Sequence, residues 1–148
     1  MILQIDKTMN IDACTEQNKN KIITASESNR KFIINNPNEK TVKKIKVDGC
    51  LITNTNQVRC DYMFKIDIPY KKVIYLELKG KNIEHACAQL KATIKLFEQD
   101  HSNIEKDCHI VASRVPKLAT DIQQLKVQFK KQQNAKLSVG TMQTTISI

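Results

Sequence analysis

The sequence predicts a mixed α/β (α+β) fold, a central β-sheet flanked by helices. Three observations predict it. Short runs between residues 31 and 79 alternate apolar and polar side chains, the two-residue period of strands. From Asn82 the apolar spacing changes to three and four, the period of a helix. Beyond that helix, strand-like and helix-like stretches alternate to residue 148, which suggests a crossover between parallel strands. A length of 148 residues suits one domain, with residues 1–30 as a poorly patterned segment, 31–115 as the core and 116–148 as a C-terminal helix and strand.

Residues 1–30 are polar and Asn-rich; Ile11, Ala13, Cys14, Ile22 and Ile23 suggest part of a helix. Lys31 to Asn35 reads as a short strand, closed by the turn signal at Asn36-Pro37-Asn38. Thr41 to Ile52 reads as a second strand, because Ile45, Val47 and Leu51 alternate with Lys44, Lys46 and Asp48. After the polar turn at 53–57 comes a third strand, Val58 to Ile66. A turn at 68–71 leads to a fourth, Val73 to Lys79. Ile83, Ala86, Cys87, Leu90, Ile94 and Phe97 then form one stripe of an amphipathic helix, with Asn82 as its N-cap. Cys108 to Ser113 is a short apolar strand. Thr120 caps a second helix, with Ile122, Leu125 and Phe129 on its apolar face and Lys126, Lys130 and Lys131 on its basic face. Leu137 to Ile148 is a closing strand.

Composition narrows the function classes. Apolar residues make up 41% and charged residues 26%, so the chain is not wholly disordered. The formal charge is +9, and only Arg30, Arg59 and Arg114 are arginines, so the excess is lysine. Lysine suits phosphate as a point charge, which favours an anionic partner, nucleic acid first and an acidic membrane surface second; on charge alone a merely solvated surface weighs equally. No apolar run approaches the length of a membrane span, and the first residues do not read as a signal peptide. Cys14, Cys50, Cys60, Cys87 and Cys108 are odd in number and lack a C-x-x-C pair. That argues against a disulfide framework or zinc ribbon and for a reducing, cytoplasmic compartment, each cysteine being a small buried apolar residue. His85, His101 and His109 lack zinc-ligand spacing.

The stretch from Cys60-Asp61 to Glu77-Leu78-Lys79-Gly80 carries the chemistry. A hairpin that sets Asp61 opposite Lys79 and Met63 opposite Glu77 brings two carboxylates and an ammonium to one sheet end. Carboxylate oxygens suit Mg²⁺ (or Mn²⁺), and the Leu78 carbonyl could add a ligand. A lysine beside such a metal orients or deprotonates the attacking water. An ordinary Asp–Lys cross-strand pair beside a solvated glutamate is the bland alternative.

Asp61, fifteen intervening residues and Glu77-x-Lys79, on a hairpin followed by an amphipathic helix and a strand, resemble the PD-(D/E)XK phosphodiesterase (restriction-endonuclease-like) superfamily. The resemblance covers about half the chain. It implies an αβββαβ core, here with an extra C-terminal helix and strand. It also implies Asp61 and Glu77 as metal ligands, Lys79 as the catalytic lysine, and Gln89 as the helix glutamine that several of these nucleases carry. Cys60 stands where the motif has proline. The acidic residue of the first helix is either Glu16 or Glu27, and Asp48 is a further option for the metal site. The resulting expectation is a Mg²⁺-dependent DNA endonuclease, possible as a homodimer, whose Lys43, Lys44, Lys46, Lys81, Lys126 and Lys130 straddle the site and hold phosphates. A non-catalytic nucleic-acid-binding module or a regulatory subunit of a defence or restriction complex is the alternative.

Overall fold

The computed structural model describes residues 11–66, 71–78, 82–114 and 119–148. A single 3₁₀ turn, Ile11–Cys14, leads into β1 (Thr15–Asn18), β2 (Ile22–Glu27), β3 (Arg30–Asn35), β4 (Val42–Lys46), β5 (Tyr62–Ile66) and β6 (Lys72–Glu77). Then come α1 (Ile83–Leu96), β7 (Glu105–Ala112), α2 (Ala119–Gln133), β8 (Ala135–Thr141) and β9 (Gln143–Ser147).

The strands form two sheets. The larger has six strands in the order β1-β4-β5-β6-β7-β8; the smaller has the order β2-β3-β9. In the larger sheet β1, β4, β5 and β6 pair antiparallel, while β6–β7 and β7–β8 pair parallel. The crossovers through α1 and α2 make those parallel pairs, as the change of period at Asn82 anticipates. Asn82 caps α1 as expected: its Oδ1 accepts from the His85 backbone N–H at 3.0 Å.

Alternation along β6 fixes the layers. Val73 and Tyr75 face one core with Ile83, Ala86, Cys87, Leu90 and Ile94 of α1 and Phe129 of α2. Ile74, Leu76 and Leu78 face the other core, with Ile23, Ala25, Phe32 and Ile34 of the small sheet. Both helices therefore cover one face of the large sheet, and the small sheet covers the other. Burial on both faces explains why β6 reads as a nearly continuous apolar run.

Several expectations are corrected. The described residues ahead of β4 hold no α-helix; Ile11, Ala13 and Cys14 lie in the 3₁₀ turn, and Ile22 and Ile23 begin β2. The second strand ends at Lys46, because the chain turns back and Val47 and Ile52 pair across it (Ile52 N–H to Val47 carbonyl, 2.8 Å). The third strand starts at Tyr62 and not at Val58. Thr120 lies inside the first turn of α2. The closing strand is two strands, broken at Met142, whose φ of 62° turns the chain from the large sheet into the small one. Cys14 and Cys50 are disulfide-bonded, while Cys60, Cys87 and Cys108 are buried thiols. The sequence could not show that pair, because the 3₁₀ turn and the loop after β4 meet only through sheet pairing. No helix among the described residues is long and apolar enough to cross a membrane.

Candidate functional site

β5 and β6 pair with Tyr62 opposite Leu76 and Met63 opposite Tyr75. The expected register is thus displaced by two residues, and Asp61 meets Glu77 where Lys79 was anticipated. Side-chain alternation repeats every two residues, so this shift leaves every side chain on its own face and the hydrophobic pattern cannot detect it. Lys79, Gly80 and Lys81 lie outside the described residues.

The two carboxylates are tied to backbone at the strand ends. The Asp61 N–H donates to Glu77 Oε1 at 3.1 Å. The Leu78 N–H donates to Asp61 Oδ2 at 2.7 Å. Both side chains are buried, Glu77 fully and Asp61 to 3% exposure. The Leu78 carbonyl accepts from Arg30 Nε at 2.9 Å, and Arg30 Nη1 donates to Ser113 Oγ at 2.6 Å. A metal on that carbonyl would sit beside a guanidinium, so Leu78 serves the site better through its N–H. Arg30 was missed in the sequence because its partners are 48 and 83 residues away.

Asp61 opens on a cleft of about 300 Å³ shared with Ser26, Glu27, Lys46, Asp48, Gly49 and Tyr62. Of the two acids left open, Glu27 lines this cleft. Glu16 pairs with Lys44 on the edge strand β1 and does not line it. Burial pushes the Tyr62 phenol up, and the charges of Glu27 and Asp61 push it further. Asp48 lies beside Asp61, its N–H donating to the Asp61 carbonyl at 3.3 Å. Its carboxylate is engaged by Arg59, at 2.8 Å from Nη2 and 3.0 Å from Nε. Arg59 also donates to the Asn54 and Gln57 carbonyls, so this pair fixes the loop before β5.

Gln89 is buried on α1, and its Nε2 donates to the Arg59 carbonyl at 3.2 Å. The Gln89 backbone carbonyl accepts from Thr93 Oγ1, which in turn accepts from the Cys60 N–H at 2.8 Å. This chain of bonds docks α1 onto the residues that precede Asp61. Burial, reinforced by the Glu77 and Asp61 charges, holds the Cys60 thiol far above its ordinary value.

The described lysines of the expected set do not straddle the site. Lys46 lines the acidic cleft. Lys44 Nζ donates to the Thr24 carbonyl and lies over the Tyr62 ring, while Lys43 sits on β4 opposite Lys65. Lys126 and Lys130 instead line a separate pocket at the other end of the large sheet, with Glu105 and Asp107. Glu105 pairs with Lys72 at the start of β6, whereas Glu77 is the end of that strand. The two sites are about 17 Å apart along a six-residue strand. Charge composition counts both clusters but carries no information on which sheet end each occupies.

Among the described residues no group of three or more His, Cys, Asp or Glu side chains comes together to hold a metal. Asp61 and Glu77 bring two carboxylates to the paired strand ends. Mg²⁺ commonly takes one or two carboxylates and leaves its remaining positions to water and phosphate, so this donor set fits it. No family model, curated protein or solved structure matches this chain.

Proposed function

We propose that this chain is a metal-dependent nuclease that hydrolyses phosphodiester bonds of DNA, on a fold related to the restriction-endonuclease-like core. The observation that carries the reading is the hydrogen-bonded meeting of Asp61 and Glu77 at paired strand ends, with Asp61 opening on the cleft. A cation between two carboxylates at adjacent strand ends would offset their mutual repulsion. Mg²⁺ or Mn²⁺ held by Asp61 and Glu77 would supply an acidified water and charge stabilisation at a phosphoryl oxygen. The Leu78 N–H orients the Asp61 carboxylate. Lys46 at the cleft offers a point charge to a neighbouring phosphate. Lys79, two residues beyond Glu77, is assigned the orientation of the attacking water by the motif it resembles. Few groups remain for reading bases, so selectivity falls to a second copy of the chain or another partner.

The test is cleavage of duplex, single-stranded and branched DNA, and of RNA, with Mg²⁺ or Mn²⁺. Wild type cleaves DNA, and Asp61→Asn and Lys79→Ala each lose about 10²-fold or more. Calorimetry with Mn²⁺ shows a site that Asp61→Asn removes. Wild type that leaves every substrate intact, or Asp61→Asn with full activity, overturns the reading. One observation favours a non-catalytic nucleic-acid-binding subunit instead: no third acid joins the pair among the described residues. Metal-independent DNA binding without cleavage selects that alternative.

A further inference from the structure

The pocket at the far end of the large sheet has a volume of about 510 Å³. Lys106, Lys126, Lys130 and Lys136 line it, with Glu105 and Asp107 as its acids. Lys126 and Lys130 stand four residues apart on α2 and so share a face. Lys106 pairs with Val73 and Ala135, which places it on the sheet face that α2 covers. Lys136 is the second residue of the edge strand β8, opposite Asp107 and on the other face of the sheet from Lys106.

Two observations indicate an anionic ligand. The first is the pattern of ion pairs. Lys72 lies 3.3 Å from Asp107 and 3.9 Å from Glu105, so a lysine that does not line the pocket engages both of its acids. Among the described residues none of the four lining lysines forms an ion pair. The second is Lys106. The residue is only 8% exposed, and among the described residues its Nζ donates to one partner, the Ile104 carbonyl, at 3.4 Å. An ammonium group carries three donors, so Lys106 has donors to offer a ligand in the pocket.

We propose that this pocket is an anion site that holds a phosphate group through Lys106, Lys126 and Lys130. Ser138 and Asn134, also in its lining, add neutral polar groups suited to phosphate oxygens. The phosphate belongs either to a free phosphorylated ligand or to a nucleic-acid backbone, and both present the same oxygens. This inference does not depend on the nuclease reading.

The experiment measures binding of pyrophosphate by calorimetry and of a short DNA duplex by fluorescence anisotropy, both in EDTA. It uses wild type, Lys126→Gln/Lys130→Gln, and Lys19→Gln/Lys21→Gln. The last removes the same charge from exposed residues around the β1–β2 turn, at the opposite edge of the sheet. Glutamine keeps the helix propensity of lysine, so the α2 variant retains its fold. The α2 variant is expected to lose about tenfold or more in affinity where the control loses about twofold or less. Loss with pyrophosphate identifies a free phosphorylated ligand. Loss confined to the duplex, with a salt slope lower by ~1.8, identifies the backbone. Wild type that binds neither, or an α2 variant that matches the control in both assays, overturns the proposal. Because EDTA removes the divalent metal, a protein that never cleaves DNA can still pass this test, and an active nuclease can still fail it.

Discussion

Arg30 shows how one side chain joins the layers around the acidic pair. It starts β3 in the small sheet, yet its guanidinium bonds the Leu78 carbonyl just past β6 and the Ser113 hydroxyl just past β7. Hydrogen bonds from a charged donor in a partly buried position are worth more than neutral ones. Truncation also leaves the Leu78 carbonyl without that donor. Arg30→Ala is expected to lower stability by about 1–3 kcal/mol, read as a lower urea midpoint. Arg30→Lys should recover part of it, since a single ammonium does not reproduce the guanidinium fork. Equal midpoints for wild type and Arg30→Ala would refute this role. At this scale Asp61 and Glu77 were legible because two acids close to apolar strands are conspicuous. Arg30 and Arg59 were not, because an arginine in a polar stretch looks solvated until tertiary structure supplies its carbonyls.

Among the elements, β6, α1 and β7 were the most legible. Each buries a full face or more, so its period is written in apolar residues. β1, β2 and β9 were not legible. β2 buries only Ile23 and Ala25 and leaves Ile22 63% exposed, and β9 alternates exposed and half-buried residues with none buried. Their places are set by long-range pairing. The Cys14–Cys50 bond adds a covalent element, closing a loop of sequence separation 36 around β1 to β4. By the chain-entropy account a loop of that size restrains the unfolded chain by about 3–4 kcal/mol. Reduction by dithiothreitol, or Cys14→Ser/Cys50→Ser, should lower the denaturation midpoint accordingly. An unchanged midpoint would show that sheet pairing alone holds these segments.

For the whole molecule, two buried histidines make stability depend on pH. His101 accepts or donates at 2.6 Å to the Tyr75 hydroxyl and stacks on Phe97, and His109 packs against Phe32. Burial holds each at about 4, below the ordinary 6.5. Between those values the unfolded chain binds more protons than the folded one. Their contribution is therefore full above 6.5 and is lost as pH falls towards 4. Urea midpoints taken from about pH 7.5 down to about pH 4.5 should fall, and His109→Gln should flatten the slope. A variant with the wild-type slope would rule out the histidine as the cause. The fold class was legible at this scale. The three-layer arrangement was not, because the helix-covered face and the sheet-covered face of β6 both appear only as apolar residues.

Strand β9 lies parallel to β3, with Lys31 beside Gln143 and Asn35 beside Ser147. The partners are 112 positions apart, so during synthesis the β2–β3 hairpin emerges long before the strand that completes its sheet. Until then β3 presents an open edge, with Phe32 and Ile34 still seeking a cover. Nascent or refolding chains at high concentration can fill that edge with another molecule's β9, an exchange that dilution suppresses. The closing strand thus sets the order of assembly and the crowding under which this protein folds cleanly.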